Sequence, residues 1–251
     1  AGTAMIYHLA GVEPAVWIAM RLIQGFCFAG IVATMESWLS ERSTPATRGR
    51  IFAVYLIVTF ASMGCGQLLL NAFPAGDPQA YMAISALVCL SLIPVSLTRI
   101  HAPVIDHFVT LGLNDLYRAS PSGFVGAVGA GAIVGAFYGV GPLFAQQLGL
   151  ATAGITLFMG AAIAGGALIQ LPLGRLSDRY DRRFLLIGVL AALVAVCAGM
   201  ARFPGSVDLS LALGAGALLG GFLSAIYPLA LAQTLDHVDP LTFVAAASGL
   251  L

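Results

Sequence analysis

Arg21, Gln24 and Gly25 stand at i, i+3 and i+4 inside a stretch that is otherwise almost wholly apolar, PAVWIAMRLIQGFCFAGIVA. On a helix that spacing puts all three on one face. An arginine within a membrane span costs about 2.5–3.5 kcal/mol on insertion scales, so such a residue marks a cavity, a partner or a solute path. Arg21 also lies only about six residues into its stretch, from where its long side chain can snorkel to the interface. Glu36, further along the same stretch, reads either as a proton-carrying carboxylate or as one solvated or paired at the helix end. Gln67 and Asn71, again at i and i+4, are candidates to line a polar pathway, as are Tyr138, Gln170, Tyr227 and Gln233. Such an amide or phenol in a membrane helix is more often satisfied by a neighbouring helix than used by a solute. The densest charge lies in the turn Gly174-Arg-Leu-Ser-Asp178-Arg179-Tyr-Asp-Arg182-Arg183, wedged between two apolar stretches.

Other chemistries find little to work with. All eleven basic residues are arginine, so a phosphate-binding Gly-x-x-x-x-Gly-Lys loop is absent. The histidines His8, His101, His107 and His237 form no H-E-x-x-H pattern and have no cysteine company, which argues against a zinc site. Cys27, Cys65, Cys89 and Cys197 lie singly in apolar runs and read as packing residues. Serines such as Ser62, Ser85 and Ser224 fall in no Gly-x-Ser-x-Gly elbow. Eleven acidic residues balance the eleven arginines, so nothing points to nucleic acid. No enzyme activity, cofactor or metal is expected.

The elements that must position these residues follow from composition. Of 251 residues 59% are hydrophobic and 9% charged, against about 25% charged in an ordinary soluble domain. Apolar runs long enough to cross a bilayer as helices follow one another near 15–39, 49–72, 79–98, 122–147, 152–174, 183–203 and 207–234. The tail of a helix precedes them at about 1–10, and a last span begins near 240. Both ends of the chain read as cut, since it starts at Ala1 and stops at Leu251 within an apolar run. Counting alternate loops places nine of the eleven arginines on one side, which the positive-inside tendency makes cytoplasmic. The polar passage 99–121 is expected to link two halves, 1–98 and 122–251, with Ile105, Phe108, Val109, Leu111 and Leu116 lying along the membrane surface. Glycines at 131, 135 and 139, at 165 and 166, and at 214, 216, 220 and 221 are expected to let helices pack closely.

Two of these motifs carry a resemblance. The 174–183 turn resembles the cytoplasmic signature loop of the major facilitator superfamily, Gly-x-x-x-Asp-Arg-x-Gly-Arg-Arg, departing from it at Asp181, where the family usually has Gly. Arg21-Leu-Ile-Gln24-Gly25 resembles the fourth-helix motif Arg-x-x-Gln-Gly, and Arg48-Gly49-Arg50 the usual start of the fifth helix. The wording around Glu36-Ser-Trp38-Leu and Gln170-Leu-Pro172 is most similar to the bacterial YcaD-like branch. With those anchors the chain runs from about the third to the eleventh family helix. The resemblance implies an all-α, polytopic transmembrane bundle of the major facilitator fold, incomplete at both ends, in a bacterial inner membrane. It implies secondary active transport of a small solute by alternating access, coupled to protons or another ion, with a sensor or scaffold of the same fold as the alternative. It further implies that Asp178 docks on the helix start near Gly49–Ile51, beside Arg50, and that Arg182 pairs with Asp236. The fifth-helix Gly-Pro signature of antiporters is missing, since the chain reads Gly64-Cys-Gly66-Gln67.

Overall fold

In a computed structural model the described residues are 13–44, 47–73, 78–97, 112–177, 179–203, 205, 207–238 and 242–250. Each apolar run among the described residues becomes a helix, because in lipid a backbone amide has no water to bond and must be satisfied within its own segment. In chain order these are α1 (Pro14–Arg42), α2 (Arg48–Leu69, extended by a 3-10 turn Leu70–Ala72), α3 (Pro78–Leu90), α4 (Leu92–Leu97), α5 (Leu113–Ala119), α6 (Pro121–Gln147), α7 (Thr152–Ser177), α8 (Arg182–Met200), α9 (Leu209–Leu235) and α10 (Phe243–Leu250). Seven segments are long and apolar enough to cross a membrane, α3 and α4 together making one of them. The break between those two falls at Ser91, three residues before Pro94, whose missing N–H and ring disturb the preceding turn.

The helix ends have local causes. Proline occupies the first position of α1, α3 and α6, where its missing N–H leaves nothing unsatisfied. The hydroxyl of Ser120 caps α6 by accepting from the Gly123 N–H at 3.3 Å. Asp181 caps α8, accepting from the Arg183 N–H at 2.8 Å, and Asp208 caps α9, accepting from the Ser210 N–H at 3.1 Å. The α6–α7 turn passes through Gly149 at φ +78°, a left-handed conformation that only glycine adopts without strain.

Two units are distinguishable: residues 1–52 with 72–108, and residues 53–71 with 109–251. The first contains α1, the start of α2, and α3 and α4. Phe26, Leu22 and Phe28 on α1 and Val95 on α4 are exposed. Its buried polar residues among those described are Ser43 and Ser85.

The second unit is built around α9, which packs against α7, α6 and α8. One apolar layer joins Ala130, Leu186, Val189, Leu223, Ile226 and Leu229; another joins Ala145, Phe158, Met159, Met200 and Ala212. The α7–α9 crossing is glycine-dependent. A methyl added at Gly165 would land on the Ala217 carbonyl oxygen, and one at Gly220 on that of Ala162. Gly216 lies against Phe158 and Gly221 against Ile169, while Gly123 brings α6 onto Ala230 and Thr234 of α9.

Two expectations need correcting. Among the described residues nothing lies within 4 Å of a methyl added at Gly131, Gly135, Gly139 or Gly214, so no close helix contact of these glycines is seen there. Leu116 does not lie on a membrane surface: α5 packs on α6 and α10, and the Leu116 side chain is fully buried between protein neighbours. The other residues of that stretch, Ile105, Phe108, Val109 and Leu111, lie outside the described residues, as do His8, His101 and His107.

Candidate functional site

Candidate polar residues occur in both units. In the first, α1 carries Arg21 and Gln24 one turn apart, about 10 Å and 15 Å from the helix start at 1.5 Å per residue. Arg21 is exposed, and among the described residues no hydrogen bond or ion pair engages it. Gln24 is half-buried, with its amide nitrogen sealed from solvent and lacking an acceptor. Ser85 on α3 is 4% exposed, and its hydroxyl is likewise without a partner. Glu36 is half-buried and engaged in an interaction of its own. At the end of α1 the Arg42 guanidinium sits over the Trp38 ring, 5.6 Å from its centroid.

A polar grouping closes one end of the other unit. Arg182 Nη1 donates to the Ala232 carbonyl at 2.6 Å and to Asp236 Oδ1 at 2.9 Å, so one guanidinium ties the start of α8 to the last turn of α9. The Ala232 carbonyl also accepts the Asp236 N–H at 3.1 Å, and a cation at a helix C-terminus is favoured by the helix dipole as well as by the carboxylate. His237 Nδ1 lies 2.8 Å from the Gln233 carbonyl. Ser177, Tyr180, Arg183, Gln233 and His237 line a polar cavity of about 340 Å³ around this pair. An adjoining cleft of about 250 Å³ reaches Gln170, Gly174 and Pro228. The turn itself is held by the Arg179 and Tyr180 N–H groups, both donating to the Leu176 carbonyl at 3.0 Å.

The structure therefore brings Arg182 and Asp236 together and sets Arg179, Arg183 and Gly174 exposed around them. Asp178, the residue expected to dock on the Gly49–Ile51 helix start, lies outside the described residues, and Arg50 is exposed at the start of α2. Of the proposed pathway residues, Gln67 is half-buried, and Tyr138 is 38% exposed with its ring edge-on to Phe137. Asn71 is exposed and accepts from the Thr156 hydroxyl at 3.0 Å, an oxygen that also lies 2.9 Å from the Ala153 carbonyl. Thr156 went unremarked in the sequence because a threonine near the start of a span carries no signal of its own. Tyr180, Ser177 and His237 were missed for a different reason: their place around the Arg182–Asp236 pair depends on how α7, α8 and α9 pack.

The family model of the Major Facilitator Superfamily matches residues 1–251. The chain belongs to the major facilitator superfamily. Among its relatives, an uncharacterized MFS-type transporter of Enterobacter sp. (strain 638) is 27% identical over 237 residues, covering 94% of this chain and 60% of the relative. The uncharacterized MFS-type transporter YcaD of Escherichia fergusonii is 26% identical over 237 residues, with the same two coverages. That of Escherichia coli O6:K15:H31 is 28% identical over 239 residues, again covering 94% of this chain and 60% of the relative. The chain thus spans about three fifths of the length of these superfamily relatives. No solved structure matches it.

Within the superfamily frame the departure at Asp181 has a local explanation. The aspartate is the N-cap of α8, accepting the Arg183 N–H that a glycine would leave to water.

Proposed function

We propose that this chain is the greater part of a secondary active transporter that carries a small solute across a bacterial inner membrane by alternating access. Membership of the superfamily supports the reading. The observation that carries it furthest is an arginine without an ion pair among the described residues and, one turn on, a buried amide nitrogen without an acceptor, both within an apolar helix. An intramembrane charge of that kind persists where it serves a solute or ion path. The two bundles are residues 1–98 and 122–251, joined by 99–121, with the solute bound near the midplane. Arg21 and Glu36 couple movement to a proton or another ion. Gln24, Gln67, Asn71 and Tyr138 contribute to the path. Asp178, resting on the helix start near Gly49, and the Arg182–Asp236 pair close the cytoplasmic side. By the positive-inside tendency the loops holding 42–50 and 175–183 face the cytoplasm.

The test is solute uptake and export by the full-length protein in liposomes, with and without an imposed proton gradient. Arg21→Ala should abolish flux at undiminished expression, and a protonophore should collapse accumulation. Unchanged flux in Arg21→Ala would remove the site assignment. Failure of the full-length protein to move any solute would remove the transporter reading.

A further inference from the structure

The unsatisfied groups in the first unit share one chemical character. Away from the first and last turns of the seven membrane spans the sequence places a single charge, Arg21, because Glu36 falls in the last turn of its span and Arg50, Arg175, Arg182 and Arg183 in end turns. Arg21 offers five N–H donors and no acceptor. Gln24 leaves its amide N–H groups, also donors, buried without an acceptor. A buried polar atom left unpaired costs free energy that a ligand recovers by supplying the missing partner. The carboxylates flanking Arg21 along the chain are Glu13, about 12 Å back at the helix start, and Glu36, about 22 Å on and already engaged.

Depth adds a third group. If α1, α2 and the α3–α4 segment each cross the membrane, α1 and α3 begin on the same side. Ser85 then lies about 10 Å in from that side, and Arg21 and Gln24 about 10 and 15 Å in. Ser85 Oγ is buried, partnerless and able to donate. Among the described residues that layer thus holds a positive charge without an ion pair, together with two donor groups without acceptors. Its complement is a ligand that is negative and rich in acceptor oxygens.

Resting on the transporter reading above, we propose that Arg21, the Gln24 amide and the Ser85 hydroxyl form an anion-recognition subsite, and that the solute is a small organic anion bearing a carboxylate, phosphate or sulfonate group. The guanidinium takes two of the anion's oxygens in parallel, the geometry in which arginine binds such groups best. Gln24 donates to a third acceptor or to an adjacent carbonyl or hydroxyl oxygen of the same solute. Cationic solutes are repelled by Arg21, and apolar ones leave the donors unpaired.

The experiment uses the full-length protein, with anion-induced thermal stabilisation in detergent as the binding readout and uptake into phosphatidylcholine liposomes as the flux readout. Zwitterionic lipid keeps anionic headgroups out of the assay. The probes are small mono- and dicarboxylates, a sugar phosphate and an alkyl sulfonate, against a neutral sugar and a quaternary amine. At least one anion should stabilise the wild type and be taken up saturably. Gln24→Leu should weaken that anion's binding about 10-fold, the value of one charge-assisted hydrogen bond. Gln24→Glu, of nearly unchanged size, should weaken it further, and Arg21→Lys should retain more binding than Arg21→Ala. Stabilisation by anions without any flux would keep the subsite and overturn transport. Flux of the sugar or the amine, untouched by anions and by Gln24→Glu, would overturn the subsite and keep transport. Anion binding undiminished in Gln24→Glu would also overturn it.

Discussion

Asp181 shows how one side chain replaces a glycine of the family loop and changes the local energetics. Its carboxylate accepts the Arg183 N–H at 2.8 Å, meeting one of the donors that every helix leaves free at its start. Asp181→Ala should destabilise the α8 start by about 1 kcal/mol, and Asp181→Gly by only a few tenths, as N-cap substitutions do. Thermal midpoints of the detergent-solubilised protein would separate the two; an alanine variant as stable as wild type would refute the cap's contribution. Asp208 makes the same kind of cap with a pH dependence. The Ser210 hydroxyl, and then its backbone N–H, hold the Asp208 carboxyl below the usual carboxylate range. A depressed folded-state value means the ionised form is the one bound, so this contribution is complete at neutral pH and above the unfolded value. It is lost as pH falls through the folded value. Asp208→Asn keeps a capping oxygen while removing the titration, so the acid-side fall in thermal midpoint should be shallower in that variant. An identical acid profile in both proteins would rule Asp208 out as a contributor.

At the scale of elements, the α7–α9 crossing sets the second unit. Gly165 and Gly220 each face a backbone carbonyl, Ala217 and Ala162 respectively, and backbone cannot move aside as a flexible side chain can. Gly220→Ala should therefore cost about 1–3 kcal/mol or more, the range for overpacking, whereas Gly131→Ala, with open space around it, should be neutral or slightly stabilising through helix propensity. Equal thermal midpoints for the two variants would contradict this crossing. The seven membrane-length segments among the described residues were legible in the sequence in extent and order, because a membrane span must be a long apolar run whatever it packs against. Which glycines face a partner was not legible. α6 and α9 are apolar all round, so no polar face marks the outside, and the stripes at 131–139 and 216–221 look alike until the neighbours are in place. The sequence did draw attention to Arg21 and Gln24, since charge in an apolar run stands out, and to Arg182 with Asp236 through the family loop. It could not bring Ser85 into the same layer, because a lone serine in a membrane helix is commonplace and only its depth and burial distinguish it.

For the whole molecule, the claim with the widest consequences is sidedness. Each span inverts the direction of the chain, so the 42–50 loop, four spans before the 175–183 turn, must open on the same face if every apolar helix crosses once. A single missed or extra span would put Arg48 and Arg50 across the membrane from Arg182 and Arg183, and the proposed cytoplasmic closure could not form. Single cysteines at Thr47 and Arg179, in a protein whose Cys27, Cys65, Cys89 and Cys197 are replaced by alanine, should react with a charged, impermeant maleimide from one side only, and the same side for both. A cysteine at Phe73 or Gln147 should react from the other. Both marker sets lie at helix ends or turns, so substitution there disturbs no packed layer. This chain's four cysteines lie within spans, where a charged reagent has little access, so they should label slowly. Labelling of Thr47→Cys and Arg179→Cys from opposite faces would remove the even number of crossings between them, and with it the pairing of two bundles on which alternating access depends.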